Sequence, residues 1–214
     1  MTSTTAISLA ITSLNEAHRR FGLTATSDPQ FFPEWYEDLP FLSAAEQQIV
    51  DHLRDRYLYY AADGAISEGA VNFILVSPVL EVLGVYDPPY KGRGEAYVRV
   101  EIESEAEVLE GRIDALVIQD QVWVILIEAK RYGFSVLQAI PQALAYLTAN
   151  SAANQPRFAW VTTGEDSIFL KLDPVRHVYG QSHKFTILSD ENHNLTRVLR
   201  VLKRILQNSG REIL

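Results

Sequence analysis

The 214-residue chain contains no cysteine. That excludes a disulfide framework, a thiolate nucleophile and a Cys-ligated zinc site, and it suits a cytoplasmic setting. No apolar run reaches the length of a membrane span, so no membrane association is expected. The opening residues, MTSTTAISLAITSLNEAHRR, lack the basic start and apolar core of a secretory signal. No GxxxxGK[ST] segment exists, so any ATP-driven movement belongs to another subunit. The five histidines show no HxH or HExxH spacing and give no zinc site. Basic charge is also scarce, with 19 Lys and Arg against 27 Asp and Glu, a net charge of −8. Dedicated nucleic-acid binders are usually basic, but carboxylates gathered at a metal site beside a local basic face leave an acidic total as well. No repeat, low-complexity tract or interdomain linker is visible.

What is present is an ordinary globular composition, 47% hydrophobic and 21% charged, in a length that buries a core without staples. Ala6, Ile7, Ala10, Ile11 and Leu14 recur at helical spacing and predict a helix over residues 3–20, with Gly22 near its end. Residues 23–41 are rich in proline, aromatics and turn formers and read as an irregular segment packed on the body. Ser43 with Glu46 is a capping-box pattern that opens a helix to about Ala61. A further helix is expected over Ser67–Leu83, stopped by Gly84 and kinked or restarted at Pro78. Residues 85–96, with two prolines and two glycines, read as a loop. Strand-like runs follow at Tyr97–Glu103, Leu109–Gln119 and Val122–Lys130, the last apolar on both faces like a central strand. A helix at Phe134–Ala149 comes next, then strands at Phe158–Thr162 and Ser167–Leu172 joined through Gly164-Glu165-Asp166. A short strand near Phe185–Leu188 and an amphipathic helix over Leu195–Gln207 complete the order. The expectation is an α/β fold with a mixed central sheet of four or five strands flanked by helices. Residues 1–62 form an N-terminal helical extension packed on a core domain over 63–214.

Chemistry concentrates where charge interrupts apolar strands. Glu128 and Lys130 are two apart on a strand, so their side chains share a face. They follow the run Val122–Ile127, where burying charge is costly unless it is paired or ligates a metal. Asp114 stands in the preceding strand, again followed by apolar residues. A two-residue turn at Asp120-Gln121 pairs residues whose numbers total 241, which sets Asp114 against Ile127 and turns Glu128 to the opposite face. The two carboxylates share a face only if that total is even, because a one-residue slip flips every side chain. The reading therefore requires a three-residue loop, or a β-bulge next to Asp114. Two carboxylates beside the Ala129 carbonyl make the all-oxygen donor set that Mg²⁺ prefers. Lys130 then faces the charge that develops on a phosphoryl group under attack.

Asp114, thirteen residues, then Glu128-Ala129-Lys130 resembles the D…(D/E)xK signature of PD-(D/E)XK nucleases. The run IEAKRYG followed by QALAYL resembles the N-terminal nuclease domain of type I restriction motor subunits, and Gln142 with Tyr146 resembles the QxxxY pattern of RecB-type nucleases. SEGAVNFILVSPVLEVLG resembles that family's first helix, in which an early glutamate, here Glu68, helps hold the metal. The resemblance spans Ser67–Leu172, about half the chain, and departs from the pattern at Ile113, where the name has proline, and at Pro141, which threatens the helix just before Gln142. It implies a restriction-endonuclease-like fold and Mg²⁺-dependent phosphodiester hydrolysis of DNA, with Mn²⁺ as a substitute. Metal binding falls to Glu68, Asp114, Glu128 and the Ala129 carbonyl, catalysis to Asp114, Glu128 and Lys130, and substrate contact to Gln142, Tyr146 and Arg131.

Each residue also has a plainer reading. Glu128–Lys130 is a structural ion pair, Asp114 a turn cap, Glu68 a helix-start acid favoured by the macrodipole, and Gln142–Tyr146 a polar stripe. The acidic stretch over residues 101–110 reads as a solvated hairpin that keeps a phosphate backbone away, leaving Lys91, Arg93 and Arg131 to meet it. Arg197, Arg200, Lys203 and Arg204 form a basic face on the last helix that is either solvated or in contact with nucleic acid. The rival function is a catalytically inactive module that binds nucleic acid or a partner protein in a defence or repair complex. Cleavage of both strands of a duplex suits a homodimer, and the missing motor suits an ATPase or specificity subunit as partner.

Overall fold

The computed structural model describes residues 3–102, 107–119, 122–149, 154–188 and 194–209. The Asp120-Gln121 connection and part of the acidic stretch over 101–110 lie outside them. The two-faced apolar run becomes a central strand flanked by neighbours of opposite sense. It is antiparallel to the strand Glu107–Gln119 and parallel to the strand Arg157–Thr162. In chain order the strands are β1 (Ser3–Ala6), β2 (Thr24–Ala25), β3 (Tyr90–Ile102), β4 (Glu107–Gln119), β5 (Val122–Ala129), β6 (Arg157–Thr162), β7 (Asp166–Asp173), β8 (Val178–Gln181) and β9 (Phe185–Thr186). They form one mixed sheet in the order β1-β4-β5-β6-β7-β8-β2, with β3 added on β4 and β9 on β7.

Helices cover both faces. On one, α3 (Ala44–Ala62), the rod formed by α4 (Glu68–Val71) and α5 (Ser77–Val82), and α7 (Asn194–Ser209) pack Leu53, Tyr57, Leu75 and Leu202 onto Ile125, Ile127, Trp160 and Phe169. On the other, α1 (Ile7–Ala10), α2 (Leu14–Phe21) and α6 (Val136–Thr148) pack Ile7, Ala17, Ala143 and Leu144 onto Ala159, Val161, Ile168 and Leu170. The fold is α/β, a mixed central sheet flanked by helices. Among the described residues no helix is long and apolar enough to cross a membrane.

Several expectations need correction. The sheet has nine strands among the described residues, not four or five. The helix expected over 3–20 is a strand, a single helical turn and a separate helix. Hydroxyl and β-branched residues Ser3–Thr5 pair with β4 instead, and Ser13 starts α2 afresh by accepting the Glu16 N–H. The loop expected over 85–96 is strand from Tyr90 onward, because Gly92 and Gly94 find partners in Val117 and Ala115 of β4. β8 carries no strong alternation of its own and is held by β7 and β2. Residues 3–62 thus contribute two strands to the common sheet and Phe32, Val50, Leu53 and Tyr57 to its core.

Other readings hold. The Ser43 capping box is complete, with Glu46 reaching back to the Ser43 N–H at 2.7 Å. Residues 23–41 are largely irregular, with two 3₁₀ turns that each begin at a proline, Pro29 and Pro33. The helix expected over Ser67–Leu83 is present as a Glu68–Val82 rod, but the restart expected at Pro78 is not: the rod runs through it, and its irregularity is a π turn earlier, at Asn72–Val76. Proline cannot donate to the Ile74 carbonyl four residues back, and that carbonyl accepts from the Arg56 guanidinium at 3.4 Å instead. The helix α6 likewise runs unbroken through Pro141.

Candidate active site

The strand β4 carries two neighbours on one edge. β5 pairs with its residues 115–119 and β1 with its residues 107–110, while β3 runs along the whole opposite edge. Residues 111–114 are left between the ends of β1 and β5, so the sheet forks at Asp114. Across from it, Glu95 adopts a left-handed φ of 48° and is the one position skipped in the β3–β4 register. The ribbon changes faces there. Val98, Ile102, Leu109 and Ile113 pack on the α6 side, whereas Tyr90, Ala115 and Val117 pack on the other.

The parity requirement is met by a bulge. Ala115↔Ile127, Leu116↔Leu126 and Val117↔Ile125 total 242, whereas Ile118↔Trp123 and Gln119↔Val122 total 241, so Val124 is the extra residue. The bulge lies in β5 across from Val117 and Ile118 rather than next to Asp114. One step further along the even register, Asp114 faces Glu128. Its Oδ2 accepts the Ala129 N–H at 2.7 Å. In a strand a residue's N–H and C=O leave on the same side, so the Ala129 carbonyl also points toward β4. The Lys130 N–H turns the other way, to the Thr162 carbonyl at 2.7 Å.

Glu128 is 1% exposed. Its Oε1 accepts from Lys130 Nζ at 2.6 Å, and its Oε2 is buried with no hydrogen-bond partner among the described residues. Burial, reinforced by the Asp114 charge, pushes its carboxyl up to about 8. Burial also lifts Asp114 to about 6, against the pull of the Ala129 N–H and the Lys130 charge. Desolvation drags Lys130 down, but the Glu128 carboxylate outweighs it and the ammonium is held above its ordinary value. The site therefore sets two carboxyl groups against one ammonium, and a buried carboxylate oxygen is left over. Both features fit a divalent cation.

Gln142 and Tyr146 are brought together on α6, with Gln142 Nε2 donating to Tyr146 Oη at 2.7 Å. Tyr146 is 2% exposed and its ring fills the fork against Gly111. A Cβ at Gly111 would stand 2.6 Å from the ring, which accounts for glycine there. Burial and then the Glu128 charge push the phenol up to about 12. Gly111→Ala is expected to cost about 1–3 kcal/mol through overpacking, read as a lower urea midpoint at unchanged slope. In a Tyr146→Ala background the same change should cost much less.

Glu68 sits in the first turn of α4, behind the Ser67 cap, and lines one cavity with Asp114. Its charge raises both Asp114 and Glu128. Among the described residues, however, no three acidic or imidazole side chains converge closely enough to hold an ion by themselves. Arg131 is exposed on the turn after β5, and Lys91 and Arg93 are exposed on β3. The basic face of α7 is largely engaged within the protein. Arg200 donates to the Leu39 and Pro40 carbonyls, Lys203 pairs with Glu46, and Arg197 lies over the Phe185 ring. These contacts bind the irregular segment and α3 to the last helix, a role that periodicity alone did not reveal.

No family of known proteins matches the chain, and no curated protein does. Among solved structures it is similar to a chain named as an HsdR-subunit fragment of a type I restriction enzyme from Vibrio vulnificus YJ016. The similarity is 20% identity with a TM-score of 0.41, covering 69% of this chain and 27% of that one. The chain thus spans about a quarter of that fragment's length.

Proposed function

We propose that the chain is a Mg²⁺-dependent nuclease of the PD-(D/E)XK kind that hydrolyses phosphodiester bonds in DNA. The observation that carries the reading is the fork. A bulge at Val124 turns Glu128 to meet Asp114, and leaves Glu128 Oε2 buried without a partner beside the Lys130 ammonium. Asp114, Glu128 and the Ala129 carbonyl would hold the ion, with Glu68 from the cavity wall. Bound Mg²⁺ supplies Lewis acidity toward a phosphoryl oxygen and acidifies water. Lys130, fixed by Glu128, places a positive charge where the phosphoryl group gains negative charge. Tyr146 and Gln142 act from behind, keeping the fork open and α6 in place. Partners in this reading are DNA, a second copy for duplex cleavage, and an ATPase or specificity subunit for any movement along DNA.

The test is a cleavage assay with Mg²⁺ or Mn²⁺ on supercoiled, linear, single-stranded and branched DNA, with an Asp114→Ala protein purified identically. Metal-dependent cleavage that is lost in the variant supports the proposal. Equal cleavage by both proteins points to a contaminant and removes that support. The absence of a ready three-carboxylate cluster among the described residues favours the second reading, an inactive module that binds nucleic acid or a partner protein. Nucleic-acid binding without divalent-ion binding would select it.

A further inference from the structure

We infer that the cavity beside Asp114 is a pocket for one unstacked nucleobase, so that the strand presented to the site is single or locally opened. The inference rests on the nuclease reading for what the neighbouring carboxylates do to that strand. The cavity encloses about 440 Å³, within the range of small-molecule sites, roughly 300–1,000 Å³.

One wall is the α4–α5 rod, through Asn72, Val76 and Leu80 beyond Glu68. Steps of four residues overshoot an α-helical turn by about 40° each and would carry this row off the cavity. The π turn, in which the Ser77 N–H reaches the Asn72 carbonyl, advances less per residue and offsets the drift. Such turns occur frequently at functional sites. Val76 and Leu80 give a buried apolar surface, and the Asn72 amide offers a donor and an acceptor to a base edge.

Tyr86 adds an aromatic ring to the lining. Tyr86 is 46% exposed. Its ring rests on Gly92, where a Cβ would stand 3.0 Å from Cε1, and its hydroxyl donates to the Ser77 carbonyl at 3.4 Å. An exposed tyrosine held at one ring edge and at its tip is a ready stacking surface, and bases stack on aromatic side chains regardless of sequence. Arg93 also lines the cavity and has no ion pair among the described residues. It supplies the charge for the adjoining phosphate. A base within a duplex must first be unpaired and unstacked before it can enter, which favours a single strand.

The experiment measures binding of a short labelled oligonucleotide with phosphorothioate linkages, as a single strand and as a blunt duplex, to the full chain with Mg²⁺. The single strand is expected to bind at least about tenfold tighter than the duplex. Tyr86→Ala should weaken single-strand binding about tenfold, and Tyr86→Phe, which keeps the ring, should not. Asn72→Ala should change the preference among homopolymer strands and keeps the test open if Tyr86→Ala fails to fold. Equal affinity for both substrates, or unchanged single-strand affinity in Tyr86→Ala, overturns the pocket. Cleavage of duplex DNA together with an indifferent Tyr86→Ala would sink the pocket and leave the nuclease. Single-strand binding that depends on Tyr86, with no cleavage of unmodified DNA in Mg²⁺ or Mn²⁺, would keep the pocket and sink the nuclease.

Discussion

Lys130→Ala is expected to lower metal-dependent cleavage by about 10²–10³-fold, the usual size of losing one charge aimed at a developing oxyanion. The fold should survive. Nζ lies at the end of β5 with 15% of its side chain exposed, and the Lys130 backbone keeps its bond to the Thr162 carbonyl. The variant has a second effect. Glu128 loses the ammonium that favours its charged form and is left with burial and Asp114, both of which raise it. At neutral pH it therefore holds its proton more firmly, so the loss of cleavage should be partly a loss of metal affinity. A metal titration separates the two contributions. Saturating Mg²⁺ restores only the affinity part, and the charge-stabilising part persists at saturation. Wild-type activity in Lys130→Ala would remove the ammonium from the mechanism.

The metal-free protein is expected to lose several kcal/mol of stability as pH rises from about 5 to 9. Glu128 titrates near its ordinary value of 4.5 when unfolded and at about 8 when folded. Between these values the native state binds the extra proton, so stability is fully present below pH 4.5 and is lost as pH passes through 8. Asp114, raised to about 6, acts in the same direction. Glu128→Gln, an uncharged isostere, should flatten most of this slope and be more stable than the wild type at pH 9. Mg²⁺ at about 100 times its dissociation constant should return about 2.7 kcal/mol at pH 8, and much less at pH 5, where protons compete for the carboxylates. Urea midpoints across pH, with and without Mg²⁺, measure all three. A flat profile in the metal-free wild type would show that Glu128 is already solvated or fully paired.

The centre of this site could be read from the chain because charge in an apolar strand is expensive. Glu128 and Lys130 stand out after Val122–Ile127 for that reason, and simple parity required an irregularity before Asp114 could meet them. The position of the irregularity was not readable. It falls at Val124, and that residue type does not demand it. Gly92 and Gly94 favour a loop by local propensity, and only the length of β4 makes them strand. Tyr146 looks like one residue of a polar helix stripe until the fork supplies Gly111 beneath it. In each case the deciding partner lies far off in sequence, where local patterns carry no information.

The pairing of β1 with β4 bears on how the chain folds as well as on its final form. Ser3–Ala6 pairs with Glu107–Glu110, about a hundred residues later in the chain. During synthesis the leading segment emerges long before the edge that it will cover. Closing so long a loop is slow compared with forming the β3–β4 hairpin, so β1 should dock late. Until then the N-terminal half of β4 presents open backbone donors and acceptors, the kind of edge that recruits foreign strands. The interval before docking is the point in the life of this chain when crowding and high expression would do most harm.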